Sequence, residues 1–160
     1  MAKSNNTLCL DKFYPERDLM ITDIAQQSDK IIIRMKSTSS SCKCPKCNHI
    51  TQKYHGTYTR KVQDLPILGK QVQLEICSHE YACLNDECEA VSIAETFDGF
   101  LNNYSRMTER CADFICTLAL ETSCEGCARI CRTLGIKTSG DTVIRLLLKR
   151  YESLPKPEVS

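Results

Sequence analysis

Two cysteine pairs constrain this chain more than any other feature. "CKCPKC" contains Cys44-x-x-Cys47, and "YACLNDECEA" contains Cys83-x4-Cys88. Each short loop between cysteines offers two sulfurs from one knuckle. Two such knuckles supply the four soft ligands that a tetrahedral zinc ion requires. Four thiolates leave no open coordination position, so the expected metal is a single structural zinc. Cys42 competes with Cys44 as partner to Cys47, but Cys-Pro-x-Cys is the commoner knuckle and favours Cys44. His49 and His55 are not needed as ligands.

The remaining cysteines ask for a second explanation, since the chain carries 12 in 160 residues. The N-terminus "MAKSNNTLCLDKFYPERD" lacks the apolar core of a signal peptide, and no apolar run approaches the roughly 18 residues of a membrane span. A cytoplasmic location is therefore expected, where disulfides are rare. The other thiols then read as small buried residues. Cys124, Cys127 and Cys131 in "SCEGCARIC" stand at i, i+3 and i+7, on one helix face. Cys111 and Cys116 on the preceding helix are placed to pack near them.

Periodicity divides the chain. "LMITDIA" and "KIIIRMKS" read as two short strands around a polar turn. "YHGTYTRKVQD" and "KQVQLEICSHEYA" alternate apolar and polar side chains across "LPILGK", which predicts a β-hairpin. After about residue 104 the period becomes helical. One helix follows Ser105 or Thr108 as N-cap, and a second runs from Ser123 to a stop at Gly135. A third is capped by Thr138 or Ser139 and ends before Pro155 and Pro157. The expected fold class is α+β: an N-terminal arm at 1–18, a small antiparallel β zinc-binding domain at 19–98, a three-helix domain at 104–153, and a tail at 154–160.

Two helices joined by a short Gly-containing turn, the second bearing Ser, Thr and Arg, match a helix-turn-helix. Ile130, Leu134, Ile136, Ile144 and Leu147 are its expected core. Net charge is only +1, but residues 129–150 hold six basic side chains against Asp141 alone, which points to a polyanion partner. Thr138, Ser139, Asp141, Thr142 and Arg145 are placed to face a major groove, and Lys149 and Arg150 to meet phosphates. By contrast, residues 86–98 hold five acids and no Lys or Arg. That stretch supports an alternative class, a protein-interaction module.

The order of these motifs resembles the N-terminal region of the ISL-three family of insertion-sequence transposases. "CPKC", then "YHGTYTRKVQDLPILGKQVQLEI", then "YACLNDEC" before "AET", carry the likeness. Within it His55, Gly56, Tyr58, Arg60, Asp64, Leu65, Pro66, Gly69 and Val72 match the family pattern. Leu134-Gly135-Ile136, Ser139, Thr142 and Arg145 look like the same family's helix-turn-helix. The resemblance spans roughly residues 19 to 153.

It implies sequence-specific binding of double-stranded DNA at terminal inverted repeats, in a bacterial, nucleoid-associated protein. Lys53, Arg60, Lys61 and Lys70 of the hairpin are then candidates for backbone contact. It also implies a partner, either a second copy or a full-length transposase. Family members continue into a catalytic domain with an acidic triad, to which no acid here can be assigned. Asp64 is expected to cap a turn, and this polypeptide is expected to cleave nothing. A stand-alone regulator of transcription shares the DNA chemistry and differs in target.

Overall fold

The computed structural model describes Tyr14 and residues 18–157. The arm at 1–18 therefore falls almost wholly outside the described residues. Strands β1 (Leu19–Gln26) and β2 (Lys30–Ser37) form the first hairpin. Two short strands, β3 (Cys42–Lys43) and β4 (Ile50–Thr51), pair with each other. The long hairpin β5 (Tyr54–Ile67) and β6 (Lys70–Tyr81) follows, and then β7 (Ile93–Ala94). The main sheet runs β1-β2-β6-β5, with β7 paired to β6. Three helices complete the chain: α1 (Glu109–Ala119), α2 (Cys124–Leu134) and α3 (Gly140–Ser153).

The antiparallel expectation holds for every ladder but one, because β2 pairs parallel with β6. The connection from β2 crosses to the far side of β6 before β5 begins. β6 then returns in the direction of β2, and both strands end at the cysteine-bearing end of the sheet. Alternation along β6 places Val72, Leu74 and Ile76 against Ile33, Met35, Val62, Phe97, Phe100 and Leu101 on one face. The opposite face is polar. Asp23, Arg34 and Glu75 bond across it, with Arg34 2.6 Å from Asp23 and 3.2 Å from Glu75.

The hairpin reversal is tighter than the "LPILGK" segment predicts. β5 continues through Pro66 to Ile67, and the turn is Leu68–Gly69 alone, with φ of 51° and 78°. Two positive φ angles define a type I′ turn, whose twist matches the flanking strands. Pro66 is tolerated because the register shifts between Asp64 and Ile67, where no ladder N–H is required of it.

Each helix starts on a hydroxyl cap. Thr108, Ser123 and Ser139 accept from the backbone N–H of Cys111, Gly126 and Thr142. α2 ends at Gly135, whose φ is 101°. A Cβ there would lie 2.8 Å from the carbonyl oxygen of Gly69, so the turn after α2 rests directly on the hairpin turn. Gly69 is also left-handed but has open space around its Cβ position. Gly135→Ala is therefore expected to cost about 2–3 kcal/mol, and Gly69→Ala only the conformational part, about 1 kcal/mol. Urea midpoints of the two variants measure the difference, and equal losses would contradict the close approach.

The helical core differs from the expected one. Ile136 is buried and Leu147 packs beside it, but Ile130, Leu134 and Ile144 are 43%, 43% and 45% exposed. Cys111, Ile115, Cys127, Ala128, Cys131 and Val143 fill the seam instead. Small thiols let the helices approach closely, so the larger aliphatic residues are displaced to the rim. Burial pushes the Cys111 thiol up to about 12 and Cys131 up to about 11. Both stay protonated and pack as small apolar groups.

Candidate metal centre and helical surface

β2 and β6 deliver the two knuckles to one end of the sheet. The first is built on the β3–β4 pair. The Cys44 N–H donates to the His49 carbonyl and the Asn48 N–H to the Cys44 carbonyl, both at 2.9 Å. Asn48 takes the positive φ that closes this loop, 61°. The second knuckle follows β6. There the Cys88 N–H donates to the Asn85 carbonyl at 3.0 Å, and the Ala90 N–H points at the Cys88 sulfur at 3.5 Å. Thr51 ties the knuckles together by donating to the Ala82 carbonyl at 2.8 Å.

The sulfurs of Cys44, Cys47, Cys83 and Cys88 lie within 4.8 Å of one another. Cys44 and Cys88 are 3.8 Å apart, and Cys47 and Cys83 are 3.7 Å apart. A tetrahedron with zinc–sulfur bonds of about 2.3 Å has edges of about 3.8 Å. The donor set therefore fits one structural zinc ion in both chemistry and spacing. Without metal, the His49 backbone N–H and the Asn85 side chain lower the Cys47 thiol, whereas Cys83 and Cys88 beside it are raised, so zinc binding must displace protons from the cluster. Cys42 lies outside this group, with its sulfur 3.9 Å from the Ala94 carbonyl. The helical cysteines form no comparable cluster among the described residues.

Behind the knuckles sits one carboxylate of the acidic 86–98 stretch. Glu95 is buried and accepts from the Ser37 hydroxyl at 2.7 Å and the His79 N–H at 2.8 Å. It fastens the segment after β7 to both β2 and β6. A lone acid in an acidic run carries no signal of burial, so only the fold reveals this role.

The surface candidates separate into two groups. Arg145, Lys149 and Lys61 are exposed and make no hydrogen bond or ion pair among the described residues. Ser139 and Thr142 share a 3.1 Å hydroxyl contact at the start of α3. The others are engaged. Arg60 donates to the Asn102 and Ser105 carbonyls at 3.0 and 2.9 Å, and Arg150 pairs with Asp113. The Thr138 hydroxyl is buried without a partner. Tertiary partners thus take up the Arg60 and Arg150 side chains, and packing covers the Thr138 hydroxyl.

A mixed sheet ending in four cysteines that fit one structural zinc, followed by three capped helices, gives a region like a zinc ribbon with helices appended. Residues 40–88 match the family described as the zinc-finger of transposase IS204/IS1001/IS1096/IS1165. No curated protein and no solved structure matches the chain. Among the described residues no helix is long and apolar enough to cross a membrane.

Proposed function

We propose that this chain is the end-recognition part of an ISL-three-like transposase, binding double-stranded DNA at terminal inverted repeats. The match of the zinc ribbon to that transposase family carries the reading. The helices that follow supply its reading head. α2, the Gly135 turn and α3 form the helix-turn-helix, with α3 in the major groove. Arg145 reads a base edge, Lys149 meets phosphate, and Ser139 and Thr142 at the α3 N-terminus approach the backbone. Lys61 adds a phosphate contact from the hairpin. In this reading the chain recognises DNA and leaves strand transfer to a catalytic domain with an acidic triad. Divalent-metal-dependent nicking of element-end duplex by the purified chain would refute that division.

The test is a pull-down of sheared genomic DNA by the zinc-loaded protein, sequenced at two salt concentrations. Paired inverted repeats flanking a mobile element are expected, with recovery falling steeply as salt rises. Promoter enrichment would instead make the chain a stand-alone regulator. Arg145→Ala is expected to relax discrimination at one base pair by about 1–3 kcal/mol. An unchanged binding profile in that variant would remove Arg145 from the readout.

A second reading, an interaction module for a second copy or a full-length transposase, draws on exposed Ile144, Leu148 and Tyr151 of α3. Co-purification with such a partner, and no gel shift on duplex DNA, would select it.

A further inference from the structure

Edge strand β5 is gripped by the helical region from three directions at a single dipeptide. Along its edge, the Gln63 N–H donates to the Arg106 carbonyl at 2.8 Å, and the Gln63 carbonyl accepts from Thr108 at 2.9 Å. On one face, Asp64 bonds Thr108 and Arg110 at the start of α1. Successive side chains on a strand point to opposite faces, so Gln63 projects the other way. There its Oε1 accepts from the Lys137 N–H at 2.7 Å, and its Nε2 donates to the Lys137 carbonyl at 2.9 Å. Those two backbone partners fix which end of the amide is oxygen, and Gln71 donates to the same Oε1 at 3.4 Å.

Lys137 lies in the turn between α2 and α3. We infer that Gln63 is a positioning residue, setting the angle at which that turn, and therefore α3, stands against the zinc hairpin. The functional consequence rests on the DNA-binding reading above; the clamp itself does not. An amide suits the task because it offers a donor and an acceptor together. A carboxylate keeps the acceptor for the Lys137 N–H but presents no donor to the Lys137 carbonyl. A thioether offers neither in useful strength.

The experiment compares the zinc-loaded full chain with Gln63→Met and Gln63→Glu. It follows amide exchange at Lys137 by NMR, zinc content, and binding to the duplex selected by the wild type and to a scrambled duplex. In Gln63→Met the Lys137 amide is expected to exchange about tenfold faster, the hydrogen bond that protects it being lost. Affinity for the selected duplex should fall about tenfold, with scrambled-duplex binding and zinc content unchanged. Gln63→Glu should retain most of the Lys137 protection and lose less affinity. Unchanged Lys137 exchange in Gln63→Met would overturn the clamp. Faster exchange with undiminished affinity for the selected duplex would overturn the positioning role. If the wild type binds no duplex, the DNA reading falls, and amide exchange alone decides the clamp. Should Gln63→Met fail to fold, Gln63→Ala takes its place, and faster Lys137 exchange with undiminished affinity in that variant would overturn the positioning role.

Discussion

Stripping the metal with a chelator, or replacing Cys44 by Ser, is expected to unfold the knuckle end of the sheet while the helices stay folded. The cluster around the four sulfurs contains little else. Tyr81 and Ile93 are its buried apolar residues besides Cys44, and β3 and β4 are 2 residues each. So few contacts cannot repay the ordering of residues 42–51 and 82–94 at roughly 1–2 kcal/mol per residue. Structural zinc contributes about 10–16 kcal/mol in small domains, so its loss removes the largest single stabilising contribution at this end of the sheet. The other two cores, around Leu74 and around Cys131, contain none of the four cysteines. Hydrogen exchange should therefore show lost protection at the knuckles and retained protection in α1–α3. Cys42→Ser is the control and should keep one equivalent of zinc. A Cys44→Ser chain that binds one zinc tightly and melts like the wild type would refute the four-thiolate assignment.

What sequence could disclose divides along a physical line. Knuckle spacing, the Thr108, Ser123 and Ser139 caps and the Gly135 stop are local, each decided within about four residues. The parallel β2–β6 ladder is not local, because it depends on how 32 intervening residues cross the sheet. The helical core misled for another reason. Hydropathy ranks Ile130 and Leu134 as insiders, but the seam selects for size, and Cys127, Ala128 and Cys131 fit it. Arg60 and Arg150 read as free cations because a charge in sequence does not announce its tertiary partner. Gln63 gave no signal at all, being one polar residue in an alternating strand. Asp64 was half legible. Its carboxylate does accept from the next N–H, that of Leu65, at 2.8 Å. Its larger role involves a residue 46 positions away.

That larger role makes Asp64→Ala the most damaging substitution expected outside the metal site. Asp64 is 1% exposed and accepts from the Thr108 hydroxyl at 2.7 Å and from Arg110 Nε and Nη2 at 2.9 and 2.5 Å. Arg110 in turn lies over the rings of Tyr14 and Phe100, 4.8 and 5.7 Å from their centroids. Removing the carboxylate strands the Thr108 hydroxyl and a guanidinium that is partly covered by those rings. Breaking a buried pair from one side typically costs about 3–5 kcal/mol, and partial solvent access at Arg110 lowers this to about 2–4 kcal/mol. Burial alone would raise the Asp64 carboxyl, but the bonds from Arg110 and Thr108 outweigh it and hold the group below its ordinary range. The sign follows from linkage: a depressed folded-state value means the stabilisation is complete above about pH 4 and drains away as pH falls further. Asp64→Ala should therefore lose most against wild type near neutrality, and the two chains should converge in acid. Urea melts of zinc-loaded protein at pH 7 and pH 5, both above that window, should show the same loss, and Arg110→Met as partner in a double-mutant cycle at pH 7 measures its coupling. Strict additivity in that cycle would mean that Asp64 and Arg110 act independently. The joint between sheet and helices would then rest on the backbone bonds of Gln63 to Arg106 and Thr108, the Gln63 amide on Lys137 and the Gly135–Gly69 approach.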